Sequence, residues 1–226
     1  MIDIVTDLRP LLGPVRDQGP RPTCLAFAAS DAHAALRDGW CPLSCEYAFY
    51  HAHKRSGTTP DRGASLSSML DTLRVDGQPS ESGWPYLDIV PADLSHWVPP
   101  VDVGPRFGRK GIAETCFIHN ILAALDSGNP VLLLTMLSQS FYAPSNGGLV
   151  DPANDEKPDP ALRHAVVAVG HGTVSGQKAF LIRNSWGADW GENGHAWLTE
   201  KFLTPRLFAT AILTEDIDVS SCAAAA

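Results

Sequence analysis

The order of structural signals predicts an α+β protein, mainly helical in its N-terminal part and rich in antiparallel strands in its C-terminal part. Three observations carry that prediction. From Cys24 to Leu36 nothing breaks a helix and alanine dominates. From Val131 onward, short apolar runs separated by Gly, Asn and Asp turns replace the helical patterns. Residues 91–110, rich in proline and glycine, stand between the two and read as the crossover. Helices first and strands later mark segregated regions, not alternating βαβ units.

Taken in order, residues 1–23 read as an extended segment with turns. Gly19, Pro20 and Pro22 favour a fixed turn there and disfavour helix. The helix from Cys24 is stopped by Asp38-Gly39, and Leu43-Ser44 caps a second helix through about Lys54. Ser65 could cap a third, whose Leu66, Met69, Leu70 and Leu73 form a helical stripe that belongs to the core. Glu81-Ser82-Gly83-Trp84-Pro85-Tyr86 reads as structural. Ile118, Ile121, Leu122 and Leu125 make another helical stripe, ended by Ser127-Gly128-Asn129-Pro130, and Val131–Met136 follows as a buried strand. A polar loop over 144–163 precedes strands at 164–170, 178–184, 195–199 and about 207–214.

The 226 residues suit one large domain or two small lobes. Lys and Arg number 17 against 25 Asp and Glu, a net charge of −8, with no basic run that would form a nucleic-acid arm. No apolar stretch approaches the roughly eighteen residues a membrane span needs. Met1–Asp7 lacks the basic start and apolar centre of a signal peptide. The expectation is a cytoplasmic protein without nucleic-acid or membrane partners. Cys41, Cys45, His51 and His53 cluster in sequence, but their spacing matches no standard structural zinc pattern, and no metal site is expected.

Cys24 sits where a turn becomes a helix. Unpaired backbone N–H groups and the positive end of the helix dipole favour an anion there, so a thiol ionises more readily than usual. Read alone, the same residue could be a small buried core side chain. Far downstream, His164 in Leu162-Arg163-His164-Ala165-Val166-Val167 and Asn184 in Ile182-Arg183-Asn184-Ser185-Trp186-Gly187 each flank an apolar strand-like run. They follow Cys24 by about 140 and about 160 residues, near the separation expected for one class of cysteine nucleophile.

Cysteine, then histidine, then asparagine, with Asn184-Ser185-Trp186-Gly187 followed by Asp189-Trp190-Gly191-Glu192-Asn193-Gly194, resembles the papain-like cysteine peptidases. The resemblance begins near Pro14, where Pro-Val-Arg-Asp-Gln-Gly looks like the start of a mature enzyme. It implies a two-lobed fold with the active-site cleft between the lobes, one catalytic domain over 1–222, a helical lobe over about 14–100 and a β lobe over about 111–215. Residues 223–226 read as an appended tail. A helical propeptide is usual in the family and none precedes Pro14, which implies a trimmed chain or another form of restraint. A compact bacterial enzyme is expected.

The resemblance implies a peptidase acting on peptide or protein substrates through an acyl-thioester, with neither metal nor organic cofactor. Cys24 would be the nucleophile, His164 its partner and later the acid, and Asn184 the residue orienting the imidazole. Gln18, six residues before Cys24, would join the Cys24 backbone N–H in binding the oxyanion. Trp186 would shield the histidine–asparagine hydrogen bond, and Gly63 would expose backbone to an extended substrate. Arg163 either selects an acidic group or points to solvent. Secreted relatives usually place a disulfide-forming cysteine where Arg21 stands, which fits a reducing interior. Cys41, Cys45, Cys116 and Cys222 could pair in three ways. The chain departs from the family pattern at Leu25 and Pro22, where tryptophan and glycine are usual. An amide transferase or deamidase on the same scaffold, or an inactive peptide-binding module, are the alternatives.

Overall fold

A computed structural model describes residues 2–145 and 147–219; Asn146 and the tail from Ser220, Cys222 included, lie outside the described residues. The N-terminal half contributes β1 (Ile2–Asp7), α1 (Cys24–Ala35), α2 (Cys45–Ser56), α3 (Leu66–Val75), β2 (Gln78–Pro79) and β3 (Arg106–Glu114). Then come α4 (Ile118–Asp126), β4 (Val131–Leu137), α5 (Gln139–Tyr142), β5 (Leu149–Val150) and β6 (Asp159–Val174). The chain finishes with β7 (Gln177–Arg183), β8 (His195–Thr199), α6 (Glu200–Leu203) and β9 (Leu207–Ile217). Two compact units result. One holds the N-terminal segment through Asp17 with Ala113–Ile212, the other Gln18–Ile112 with the segment from Leu213.

The helical unit is organised by α1, which is buried on every face after Cys24; Ala26, Ala29, Ala32 and Ala34 have no exposed surface. The two serines act as anticipated. Ser44 Oγ accepts from Tyr47 N at 3.0 Å and Ser65 Oγ from Ser68 N at 3.2 Å, each satisfying an amide that the helix leaves unpaired. Helix α2 runs past Lys54 and closes on Gly57, whose φ of 64° suits a residue without a side chain. Met69 and Leu73 bury the apolar face of α3.

The expected crossover over 91–110 holds more structure than its composition suggests, because its last residues open β3, which pairs with β2 at Gln78↔Phe107. Gly108 and Gly111 dilute the strand signal, yet neighbouring atoms require them. A Cβ at Gly108 would lie 2.6 Å from the Ile217 carbonyl oxygen, and one at Gly111 2.6 Å from Leu70 Cδ2.

In the other unit the strands run in the order β9-β4-β6-β7-β8-β5, with β1 also paired to β6. The pairings are antiparallel apart from β5 on β8. Two expectations need correction. The start of the chain is not merely extended, since β1 forms a ladder with β6 from Ile2↔Val174 to Asp7↔Gly170. The loop over 144–163 is interrupted by β5 and ends early, because β6 begins at Asp159. Its first five residues are exposed and show no buried alternation, so only pairing with β4 makes them a strand. Burial begins at His164 and continues through Gly172. Leu133, Val166, Phe180 and Leu198 join Ile121 and Leu125 of α4 in the core of this unit.

His33, on α1, has no exposed surface; its Nδ1 lies 3.0 Å from Gln78 Oε1, and burial pushes its pKa down to about 3. The unfolded chain therefore binds the extra proton below about pH 6.5, and folding excludes it until about pH 3. Stability from this group is complete above about pH 6.5 and declines as pH falls through that window. Denaturant titrations at several pH values should give a flatter profile for His33→Gln than for the wild type, by up to about 1.4 kcal/mol per pH unit.

Candidate active site

Within the strand-rich unit, His164 faces Thr135 across the β4–β6 ladder and is the first buried residue of its strand. Asn184 follows β7 directly, and its backbone N–H donates to the Gly194 carbonyl at 3.0 Å. His164 Nε2 lies 2.7 Å from Asn184 Oδ1, and that same oxygen accepts from the Ser185 backbone N–H at 2.9 Å. A backbone N–H can only donate, so this end of the amide is the oxygen. His164 must therefore donate from Nε2, which leaves Nδ1 carrying the lone pair in the neutral ring. Burial pushes His164 down to about 4, offset in part by the bond to Asn184.

Aromatic rings close around this pair. The Trp186 ring centroid stands 4.7 Å from that of His164 at 34°, and Phe141 meets the imidazole edge-on at 5.8 Å. Tyr142, half exposed, stacks on Trp186 at 5.6 Å. Excluding water from a hydrogen bond in this way strengthens it. Arg163, on the exposed side of the same strand, donates from Nε to the Pro160 carbonyl at 3.2 Å and lies 5.4 Å from the Phe208 ring centroid.

The helical unit carries Gln18, Cys24 and Gly63. Cys24 is the first residue of α1, half buried, with no acidic residue in that turn. The preceding Thr23 makes no side-chain cap, because its hydroxyl pairs with the Tyr86 hydroxyl at 2.9 Å. Tyr86 in turn donates to the Gln18 carbonyl at 2.7 Å. Gly19 takes φ 57°, and the Arg21 carbonyl accepts from Gln18 Nε2 at 2.7 Å and from Thr23 N at 2.8 Å. The Gln18 side-chain amide is thus tied to the turn that leads to Cys24. Gly63 has an ordinary negative φ, and a Cβ there would find only the Pro22 carbonyl at 3.8 Å. The fold itself does not demand glycine at this position.

The sequence reading takes Tyr86 as merely structural, although its hydroxyl fixes both ends of the turn before Cys24. It misses Arg21 as a contact residue altogether. The Trp84-Pro85-Tyr86 triplet was the only local signal for the former, and the latter has none, since its partners lie far along the chain. Among the described residues, no group of three or more His, Cys, Asp or Glu could hold a metal ion.

A family model described as "Papain family cysteine protease" matches residues 112–204. Pro-cathepsin H of Mus musculus is 36% identical over 198 residues, covering 82% of this chain and 56% of its own. Digestive cysteine proteinase 2 of Homarus americanus is 26% identical over 196 residues, covering 80% and 56%. This chain thus spans a little over half the length of these curated relatives. Among solved structures, xylellain, a cysteine protease from Xylella fastidiosa, superposes with a TM-score of 0.73 at 22% identity, covering 92% of this chain and 85% of that one. The Carica candamarcensis cysteine protease CMS1MS2, solved in complex with E-64, gives 0.70 at 20% identity, covering 92% and 97%. The structural likeness establishes a papain-like α+β fold.

The geometry at Asn184 yields a test. Asn184→Asp keeps the acceptor and adds a negative charge beside the imidazole, so the His164 pKa should rise from its depressed value by about one to three units. Titration of the ring by nuclear magnetic resonance reads the shift directly; an unchanged or lower value contradicts the hydrogen-bond assignment.

Proposed function

The chain belongs to the papain-like cysteine peptidase family, and from that membership we propose that it hydrolyses peptide bonds with Cys24 as nucleophile and His164 as its proton partner. The observation that carries this reading is the oriented hydrogen bond between His164 Nε2 and Asn184 Oδ1, which leaves the lone pair of the neutral ring on Nδ1; in the proposed reaction that nitrogen would exchange a proton with the thiol. A buried imidazole held near pKa 4 is neutral at physiological pH unless a negative charge accompanies it. A thiolate at a helix N-terminus is such a charge, so ionising the thiol and protonating the ring support each other.

In the proposed reaction the thiolate attacks the scissile carbonyl carbon, and the carbon–nitrogen bond breaks as His164 gives its proton to the leaving amine. Water, losing a proton to the imidazole, then opens the acyl-thioester to a carboxylic acid and restores the thiol. The Gln18 side-chain amide and the backbone N–H of Cys24 would meet the oxyanion, a donor of this kind contributing about 3 kcal/mol. Trp186 would keep water from the His164–Asn184 bond. Gly63 would admit an extended peptide main chain, which accounts for a glycine that its own fold does not require. Arg163, held against Pro160 and Phe208, would offer its charge to substrate residues only by leaving those contacts.

The test is labelling and turnover on one preparation. An epoxide of the E-64 type should modify Cys24 in the wild type and modify nothing in Cys24→Ala. Cleavage of a peptide library should fall more than about 1,000-fold in Cys24→Ala and His164→Ala. Alkylation spread evenly over the cysteines, or labelling at Cys24 without any cleavage, contradicts the peptidase reading.

A further inference from the structure

We propose that Arg21 and Glu46 are a positioning pair that sets the geometry of the turn from Gln18 to Cys24 through a buried charge contact with α2. The proposal rests on Cys24 being the nucleophile, as argued above, and adds two residues that touch neither substrate nor thiol.

Glu46 stands in the first turn of α2 with no exposed surface, and Arg21 is 7% exposed. Their contact is two-pronged. Arg21 Nη1 lies 2.6 Å from Glu46 Oε2 and Nη2 lies 3.0 Å from Oε1. Each carboxylate oxygen has a second donor: Trp97 Nε1 reaches Oε1 at 2.6 Å, and the Leu87 backbone N–H reaches Oε2 at 3.0 Å. Nη1 also donates to the Leu87 carbonyl. The guanidinium carbon lies 4.9 Å from the Tyr86 ring centroid and 5.4 Å from that of Phe49. A carboxylate with four donors has one geometry in which all are satisfied, and it holds the fork in that geometry.

The consequence reaches the turn through the backbone of the same residue. The Arg21 carbonyl accepts from Gln18 Nε2 and Thr23 N, so the atom that orients the Gln18 amide belongs to the residue pinned by Glu46. The constraint runs from carboxylate to guanidinium, to the carbonyl, to the amide six residues ahead of Cys24. Buried ion pairs add little net stability over apolar residues of similar volume, whereas their geometry is narrow. Stability and positioning can therefore be separated by experiment. Lysine does not reproduce the fork.

The deciding variants are Arg21→Met/Glu46→Leu, which removes both charges while keeping volume, and Arg21→Lys, which keeps the charge without the fork. With a fluorogenic peptide amide that the wild type cleaves, the double variant should melt within a few degrees of the wild type. Its kcat should fall about 10- to 100-fold at unchanged KM, because the displaced groups act on the transition state. Arg21→Lys should show a smaller loss of the same kind, and it carries the test alone if the double variant does not fold. Wild-type kcat in both variants, or in Arg21→Lys alone when the double variant is unfolded, overturns the proposal. So does a rise in KM with kcat unchanged. A wild-type protein without Cys24-dependent cleavage would instead bring down the peptidase reading, and this proposal with it.

Discussion

Asn184 accepts two hydrogen bonds on one oxygen, and the chemistry available at His164 follows from that. The donor from Ser185 belongs to the backbone and cannot reverse its role, so the amide has one orientation and the imidazole one neutral tautomer. The sheet supplies the precision. His164 is fixed by its ladder partner Thr135, and Asn184 by the bond from its own amide to Gly194. Trp186 and Phe141 complete the enclosure, and the same enclosure lowers the basicity of the ring. Protection of the hydrogen bond and suppression of the cation have one cause.

Each unit contains a carboxylate used as a hub for hydrogen-bond donors, and the two differ instructively. Glu46 is sealed and matched to a guanidinium fork, which suits a contact that must hold a turn in one geometry. Glu156 gathers the loop that leads to β6. It accepts from Ser140 N at 2.9 Å, Ser140 Oγ at 2.8 Å and Ala153 N at 2.9 Å, with buried Arg206 donating to its backbone carbonyl at 3.3 Å. Burial alone would raise the Glu156 pKa, but these bonds and one from Ser138 bring it down to about 2. Both devices order irregular chain without a regular ladder, and in both the carboxylate is satisfied by donors from separate stretches.

What the sequence discloses is what local chemistry encodes. Ser44 and Ser65 announce helices because a hydroxyl at that position has an amide to satisfy, and the apolar block of β4 reads as a buried strand because every second residue need not be polar. Strand β3 is hidden because its glycines and basic residues lower β propensity, while the reason for Gly108 lies in Ile217, far downstream. Strand β1 is hidden similarly, since only its pairing with β6 makes it a strand. In the candidate site, His164, Asn184 and Trp186 are legible as a motif whose members share one neighbourhood. The Arg21–Glu46 contact is not, because a long-range ion pair leaves no trace in periodicity, and Arg21 registers only as the residue standing where a cysteine is expected.

Helix α1 has a final implication for how such a protein can vary. Its alanines leave room for neighbouring elements to approach closely, and with no outward face it offers no site where a larger side chain could be accommodated at low cost. Sequence drift is thereby excluded from the segment that begins at Cys24 and diverted to exposed stretches such as the one around Gly63. A lineage carrying this scaffold can change that exposed surface while the helix that begins at Cys24 stays fixed.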